Sequence, residues 1–324
     1  MSELSPAADA AARRFARVVW WAAGYTLFVI LFGAVVRITG SGAGCGQHWP
    51  TCHGEVAHMP RSVETLIELT HRVTSGVCLP LVLFLWYRAA RIFPRGHATR
   101  RYALWVTALM VVEALVGAGL VLWDLVGDNA SASRAVFMAL HLISTSLLMG
   151  AFTLMAWTAG RGQASQGFRL RMGAGDGRWL GALLVGFVLV SMLGAVTALG
   201  DTLYPLAPDA NLSDRVTGAH FLERLRVAHP VSAVALSAGL WWLLQRFEER
   251  GSGPALRVAR LGRALLVLQL VVGVVNVALS APGYMQVTHL AVGTALWCTL
   301  VLLLAIQAAT ARRSEQAPCA SAVT

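Results

Sequence analysis

Eight long apolar stretches, each bounded by polar residues, divide the chain at approximately 18–36, 66–90, 102–125, 135–159, 179–199, 219–244, 261–280 and 286–309. Each is long enough to cross a ~30 Å hydrocarbon core as a helix of about 20 residues. None alternates with period two over about ten residues, which excludes transmembrane strands. Polar loops bearing glycine and proline, such as 40–61 and 200–217, lie between them. The pattern predicts an all-α polytopic membrane protein with eight transmembrane helices. The first stretch is too long for a signal-peptide core and lacks a small-residue cleavage site, so it reads as a span.

Composition agrees. Of 324 residues, 56% are hydrophobic and 13% charged, against about 25% charged in soluble domains. A soluble enzyme and a disordered chain are both excluded. The net charge of +10 would ordinarily raise nucleic acid as a partner, but no lysine is present and the arginines do not form one patch. They alternate by loop instead. Arg13, Arg14 and Arg17 precede the first span, and Arg88, Arg91, Arg95, Arg100 and Arg101 lie between the second and third. Arg161, Arg169, Arg171 and Arg178 follow the fourth, and Arg246, Arg250, Arg257, Arg260 and Arg263 follow the sixth. Arg312 and Arg313 follow the eighth, while the alternate loops carry mainly Arg61, Arg134 and Arg215. The positive-inside rule places both termini in the cytoplasm, the loop at 40–61 outside, and the chain in the inner membrane with lipid, not nucleic acid, around it.

The chain also repeats itself. Gly33-Ala34-Val35 corresponds to Gly194-Ala195-Val196, and Glu113 through Gly117 to Gln269 through Gly273. His71 corresponds to His229, and His141-Leu142 to His289-Leu290. Four spans separate equivalent helices, so the repeat is parallel. It predicts two pseudo-symmetric four-helix bundles, residues 1–160 and 161–324.

Ionisable groups within a membrane are costly and point to function. Four of nine histidines fall within spans: His71, His141, His229 and His289. All lie on even-numbered helices towards the outer side, two per bundle. A lone histidine would read as a hydrogen-bonding core residue, and a proton relay would step across the membrane. Four at one depth, paired by duplication, fit two bis-imidazole haem sites best. Glu68 stands one turn before His71, whereas Arg226 holds the equivalent place before His229. An ion pair with Arg72 is the plain reading of Glu68. The functional one is a carboxylate beside the macrocycle edge. A zincin motif and a di-iron motif set are both absent.

In the outer loop, Cys45 and Cys52 are expected to form a disulfide in an oxidising compartment. A zinc or copper site from Cys45, His48, Cys52 and His53 is the less favoured alternative. Cys78 and Cys298 read as small core residues, and Cys319 as incidental.

The run Gly33-Ala34-Val35-Val36-Arg37-Ile38-Thr39-Gly40-Ser41-Gly42, then Cys45, Trp49-Pro50 and Cys52, then Glu68 with His71-Arg72, resembles the signature of the haem A synthase family. His141, the Gln269 to Val274 run, Ala281-Pro282 and His289 continue the resemblance, which covers nearly all of 18–309. It implies oxidation of the C8 methyl group of haem O to a formyl group by two successive hydroxylations, giving haem A for terminal oxidases. It further implies that His71 and His141 flank haem O in the N-terminal half, and that His229 and His289 ligate haem b in the C-terminal half. Glu68 would be the catalytic carboxylate, and Cys45–Cys52 the loop disulfide. Haem O synthase is the partner to expect, and a homo-oligomer is compatible. Unlike some relatives, the chain has no cysteine in 200–217, and Pro230 follows His229. That proline is expected to loosen the helix at Arg226 and re-aim His229. Arg37 and Arg72 are expected to meet haem propionates or to snorkel at helix ends. A di-haem electron carrier of cytochrome b type is the alternative function, and a transporter with broken helices a third.

Overall fold

The computed structural model describes residues 6–170, 175–206 and 220–316. Eight helices carry the fold: α1 (Pro6–Ile38), α2 (Val63–Ile92), α3 (Ala98–Leu122), α4 (Ala132–Gly160), α5 (Asp176–Leu203), α6 (Ala228–Arg250), α7 (Gly253–Ala278) and α8 (Gly283–Gln316). All eight spans are long and apolar enough to cross a membrane, and the protein is a multi-pass membrane protein. Large apolar side chains such as Trp21, Val73, Leu115 and Val274 are exposed along their outer surfaces, as lipid-facing positions are. No strand occurs among the described residues. Asp209, Asp214, Arg215, Arg171 and Cys319 lie outside the described residues.

Short polar residues set where helices begin. The Ser62 side chain accepts from the Thr65 amide at 3.1 Å, and Ser131 accepts from the Arg134 amide at 3.2 Å, each satisfying one of a helix's unpaired first-turn donors. One expected helix is broken. The span at 219–244 is a single turn at Phe221–Arg224 followed by α6, which starts at Ala228. Pro230 has no amide hydrogen to donate to residue 226, and here it occupies the first turn of α6, where none is needed. The proline therefore begins a helix; it does not loosen a continuous one.

Packing is unevenly distributed along the bundle axis. One core cluster, with Phe15, Leu85, Val106, Phe152, Leu180, Leu243, Leu266 and Leu300, draws on all eight helices. Apart from Leu266 at the middle of α7, these residues lie in the half of each helix nearer the arginine-rich loops and the termini, here the terminal face. At the opposite end, here the loop face, the described residues form a smaller cluster that includes Ala135, Leu199 and Leu222. The two sequence halves share the main core. Helix α4 packs on α5 and α8, the Trp297 indole donates to the Ser146 carbonyl at 2.6 Å, and Gly150 lets that ring approach.

Candidate functional site

The loop after α1 folds back onto the start of α2. Cys45 and Cys52 are disulfide-bonded, and both are buried. The bond removes both sulfurs as thiolate ligands, so the loop is not a zinc or copper site of Cys45, His48, Cys52 and His53. His53 instead donates to the Gly44 carbonyl at 3.0 Å, and His58 pairs with Glu55 at 2.9 Å. Gly44 passes so close to α2 that a β-carbon there would lie 2.6 Å from Glu64 backbone atoms. Only glycine fits.

Glu68 is buried beneath this loop. Its Oε2 accepts from the Cys45 amide at 2.7 Å, and its Oε1 accepts from Arg72 Nε at 3.1 Å and from Arg72 Nη2. Arg72 also donates to the Thr51 carbonyl at 2.6 Å and to the His48 carbonyl. The i, i+4 ion pair read from sequence is therefore present, and it clamps the loop. The Arg72 guanidinium is largely buried and engaged by Glu68 and the loop carbonyls. Arg37 is likewise committed, donating to Ala198 O at 2.7 Å, to Thr202 Oγ1 and to Gln286 Oε1 at 2.8 Å.

The halves differ as the sequence suggests. Arg226, in the place of Glu68, is buried and pairs with Asp201 at 2.8 Å while donating to the Gly200 and Tyr204 carbonyls. An acid fastens a loop in one half; a base fastens the end of α5 in the other.

Each membrane histidine meets a specific neighbour, and the neighbours follow the repeat. A β-carbon on Gly33 of α1 would lie 3.2 Å from His71 Cε1, and one on Gly194 of α5 would lie 2.7 Å from His229 Cε1. His141 Nδ1 meets Glu113 Oε2 at 2.6 Å, and the Gln269 amide donates to His289 Nε2 at 3.0 Å. Phe32 packs edge-on against His71, with ring centres 5.8 Å apart. His71 and His141 lie within electrostatic reach of each other. His229 and His289 lie 6.2 Å apart between ring centres, with their planes at 88°.

This arrangement suits a metal macrocycle between paired imidazoles. Two imidazoles sharing one metal, each nitrogen about 2 Å from it, place their ring centres about 6 Å apart, as His229 and His289 do. His229 Nδ1 donates to the Val190 carbonyl at 3.1 Å, which fixes the tautomer and leaves Nε2 as a ligand atom. His71 Nδ1, His141 Nδ1 and His289 Nδ1 are buried without a hydrogen-bond partner, His141 Nδ1 having only its ionic contact with Glu113. His289 Nε2 is held by one neutral amide bond, which a metal would replace at a cost of about 1 kcal/mol.

Glu113 is the site residue that sequence reading passed over. It aligns with Gln269 in the repeat, but received no chemistry. The signal was available, since a carboxylate in the middle of an apolar span is as costly as a histidine there.

The chain matches the family model described as "Cytochrome oxidase assembly protein" (COX15-CtaA) over residues 16–301. It is 43% identical over 302 residues to a Thermus thermophilus protein named "Protoheme IX farnesyltransferase", covering 90% of this chain and 48% of that protein. It is 38% identical over 132 residues to a "Heme A synthase" of Bacillus cereus, covering 40% of this chain and 41% of that protein. The chain thus spans about half the length of the first of these relatives and less of the second. With a match that runs from the first span into the last, the chain belongs to the COX15-CtaA family of cytochrome oxidase assembly proteins.

Proposed function

We propose that the chain is a haem A synthase, an oxidoreductase that converts the C8 methyl group of haem O to a formyl group. The observation that carries this reading is the unequal dressing of two matched histidine pairs. Glu68 lies one turn from His71 and Glu113 against His141, whereas Arg226 and Gln269 hold the equivalent places in the other half. A di-haem electron carrier needs no carboxylates gathered at one haem. Under this reading His71 and His141 hold the substrate haem O, and His229 and His289 hold haem b. Bound haem b supplies an electron-transfer centre. Glu68, fixed by the Cys45 amide and Arg72, presents a preorganised negative charge to a methyl carbon losing electrons. Each of two hydroxylations replaces a C–H bond of the methyl carbon with a C–O bond, the oxygen and the two-electron oxidant both coming from outside the chain, and the gem-diol loses water to leave the aldehyde.

The Thermus relative's name raises farnesyl transfer as a second reading. That name describes a protein about twice the length of the matched region. Releasing diphosphate calls for divalent cations on clustered carboxylates, and the described residues hold no group of three carboxylates close enough to share an ion. We therefore assign farnesylation to a partner, haem O synthase, whose product is this chain's substrate. The arginine-rich face is assigned to the cytoplasmic side of the inner membrane, and the disulfide loop to the oxidising side.

Expression beside a haem O source, followed by pigment extraction, tests the reading. The parent should yield haem A, and Glu68→Gln should lower the yield about 100-fold. His229→Ala or His289→Ala should remove a b-type spectrum. No haem A from the parent, with Glu68→Gln showing the same pigments, would overturn the enzyme reading.

A further inference from the structure

We propose that Glu113 is a positioning residue for His141, making the N-terminal histidine pair a stronger electron donor to its iron than the C-terminal pair. The inference rests on the reading that these histidines hold haem. Its basis is the contact between His141 Nδ1 and Glu113 Oε2 at 2.6 Å, with the Glu113 side chain 11% exposed. Among the described residues no arginine pairs with Glu113, and its Oε1 is buried without a hydrogen-bond partner. A carboxylate so placed in an apolar span is stabilised chiefly by the imidazole it touches.

The contact settles which nitrogen is available. Nδ1 faces the carboxylate at 2.6 Å in an ionic contact without hydrogen-bond geometry, so Nε2, on the other side of the ring, is the atom offered to a metal. A negative charge at that distance strengthens donation by the ring, as a carboxylate behind a metal-bound histidine does generally. At the repeat-equivalent position Gln269 reaches His289 with a neutral amide, and it reaches Nε2 instead of Nδ1. The two halves therefore share a helix scaffold and a ligand type, but a carboxylate stands against the far nitrogen of a ligand in one half, and a neutral amide against Nε2 in the other. Stronger donation stabilises the oxidised iron. It does so in the half where the substrate macrocycle must give up electrons.

Potentiometric titration of the purified protein carrying both haems, followed by visible and EPR spectra, tests this. Glu113→Gln should shift the midpoint potential of the N-terminal haem to more positive values and leave the C-terminal haem unmoved. Glu113→Asp, which keeps the charge, should leave that potential closer to the parent's than Glu113→Gln does, and Glu113→Ala repeats the test if Glu113→Gln loses its haem or fails to fold. An N-terminal potential unchanged in Glu113→Gln or Glu113→Ala, with both haems bound, would overturn the proposal. Failure of the parent to bind a haem through His71 and His141 would instead remove the functional reading beneath it, and pigment content distinguishes the two.

Discussion

The glycines facing the histidines are kept small by contact. A β-carbon at Gly194 would lie 2.7 Å from His229 Cε1 and 3.1 Å from Nδ1, whereas one at Gly117 would meet nothing within 4 Å. Gly194→Ala should push His229 away from the Val190 carbonyl and lower the haem b retained through purification. Gly117→Ala should keep its haem and gain up to about 1 kcal/mol of helix stability. Haem content and melting temperature of the two variants check this, and equal haem loss from both would remove the role given to close approach. At this scale the four histidines were legible because an ionisable group stands out in an apolar run. The Glu68–Arg72 pair was legible as well, being one turn apart on one helix. Glu113 satisfied the first rule, but its partner His141 lies on the next helix, and periodicity within one helix does not say which faces of two helices meet. For the same reason the loop carbonyls that hold Arg72 were out of reach.

Helix existence followed from apolar length together with the lack of period-two alternation, since only helices and closed barrels satisfy their backbone polar groups within ~30 Å of hydrocarbon. Helix ends did not, because polar capping and tertiary contact decide them. The start of α6 is one case. Another is the α2–α3 joint, where His97 is almost fully buried, accepts from the Thr99 amide at 3.2 Å and donates through Nε2 to the Gly162 carbonyl at 2.8 Å. One ring nitrogen accepts and the other donates, so this fastening requires the neutral imidazole. Burial holds the His97 pKa below its ordinary value of 6.5, opposed in part by the Gly162 bond. The unfolded chain therefore takes up the proton first as pH falls. The contribution of His97 to stability is complete above about 6.5 and is lost progressively below it, towards the depressed folded value. Thermal unfolding in detergent should show a lower midpoint at pH 5 than at pH 8. His97→Gln should be less stable at pH 8 and should flatten that dependence. An unchanged slope in the variant would assign the acid sensitivity elsewhere.

Across the whole molecule, the main apolar core lies towards one face, and at the other the seam between the halves is fastened by hydrogen bonds. The shared core holds the halves together at the terminal face. At the loop face, where the histidines lie, Arg37 at the end of α1 reaches the Ala198 carbonyl and Thr202 on α5 and Gln286 on α8. This clamp spans the boundary between the sequence halves. Its length along the chain is why the repeat was readable and the seam was not: equivalence between copies is a one-dimensional pattern, and the contact between them is not. Hydrogen bonds from a charged donor are worth about 1.5–3 kcal/mol each, and a buried seam leaves their acceptors without substitutes. Arg37→Gln should therefore open the loop face selectively. Amide hydrogen exchange should rise around residues 198–202 and 283–290, while the α4 and α8 segments around Phe152 and Leu300 stay protected. An even rise along α5 and α8, or none, would show that the halves are held by the terminal-face core alone. A selective rise together with reduced haem retention would show that the clamp sets the spacing in which paired histidines can share a metal.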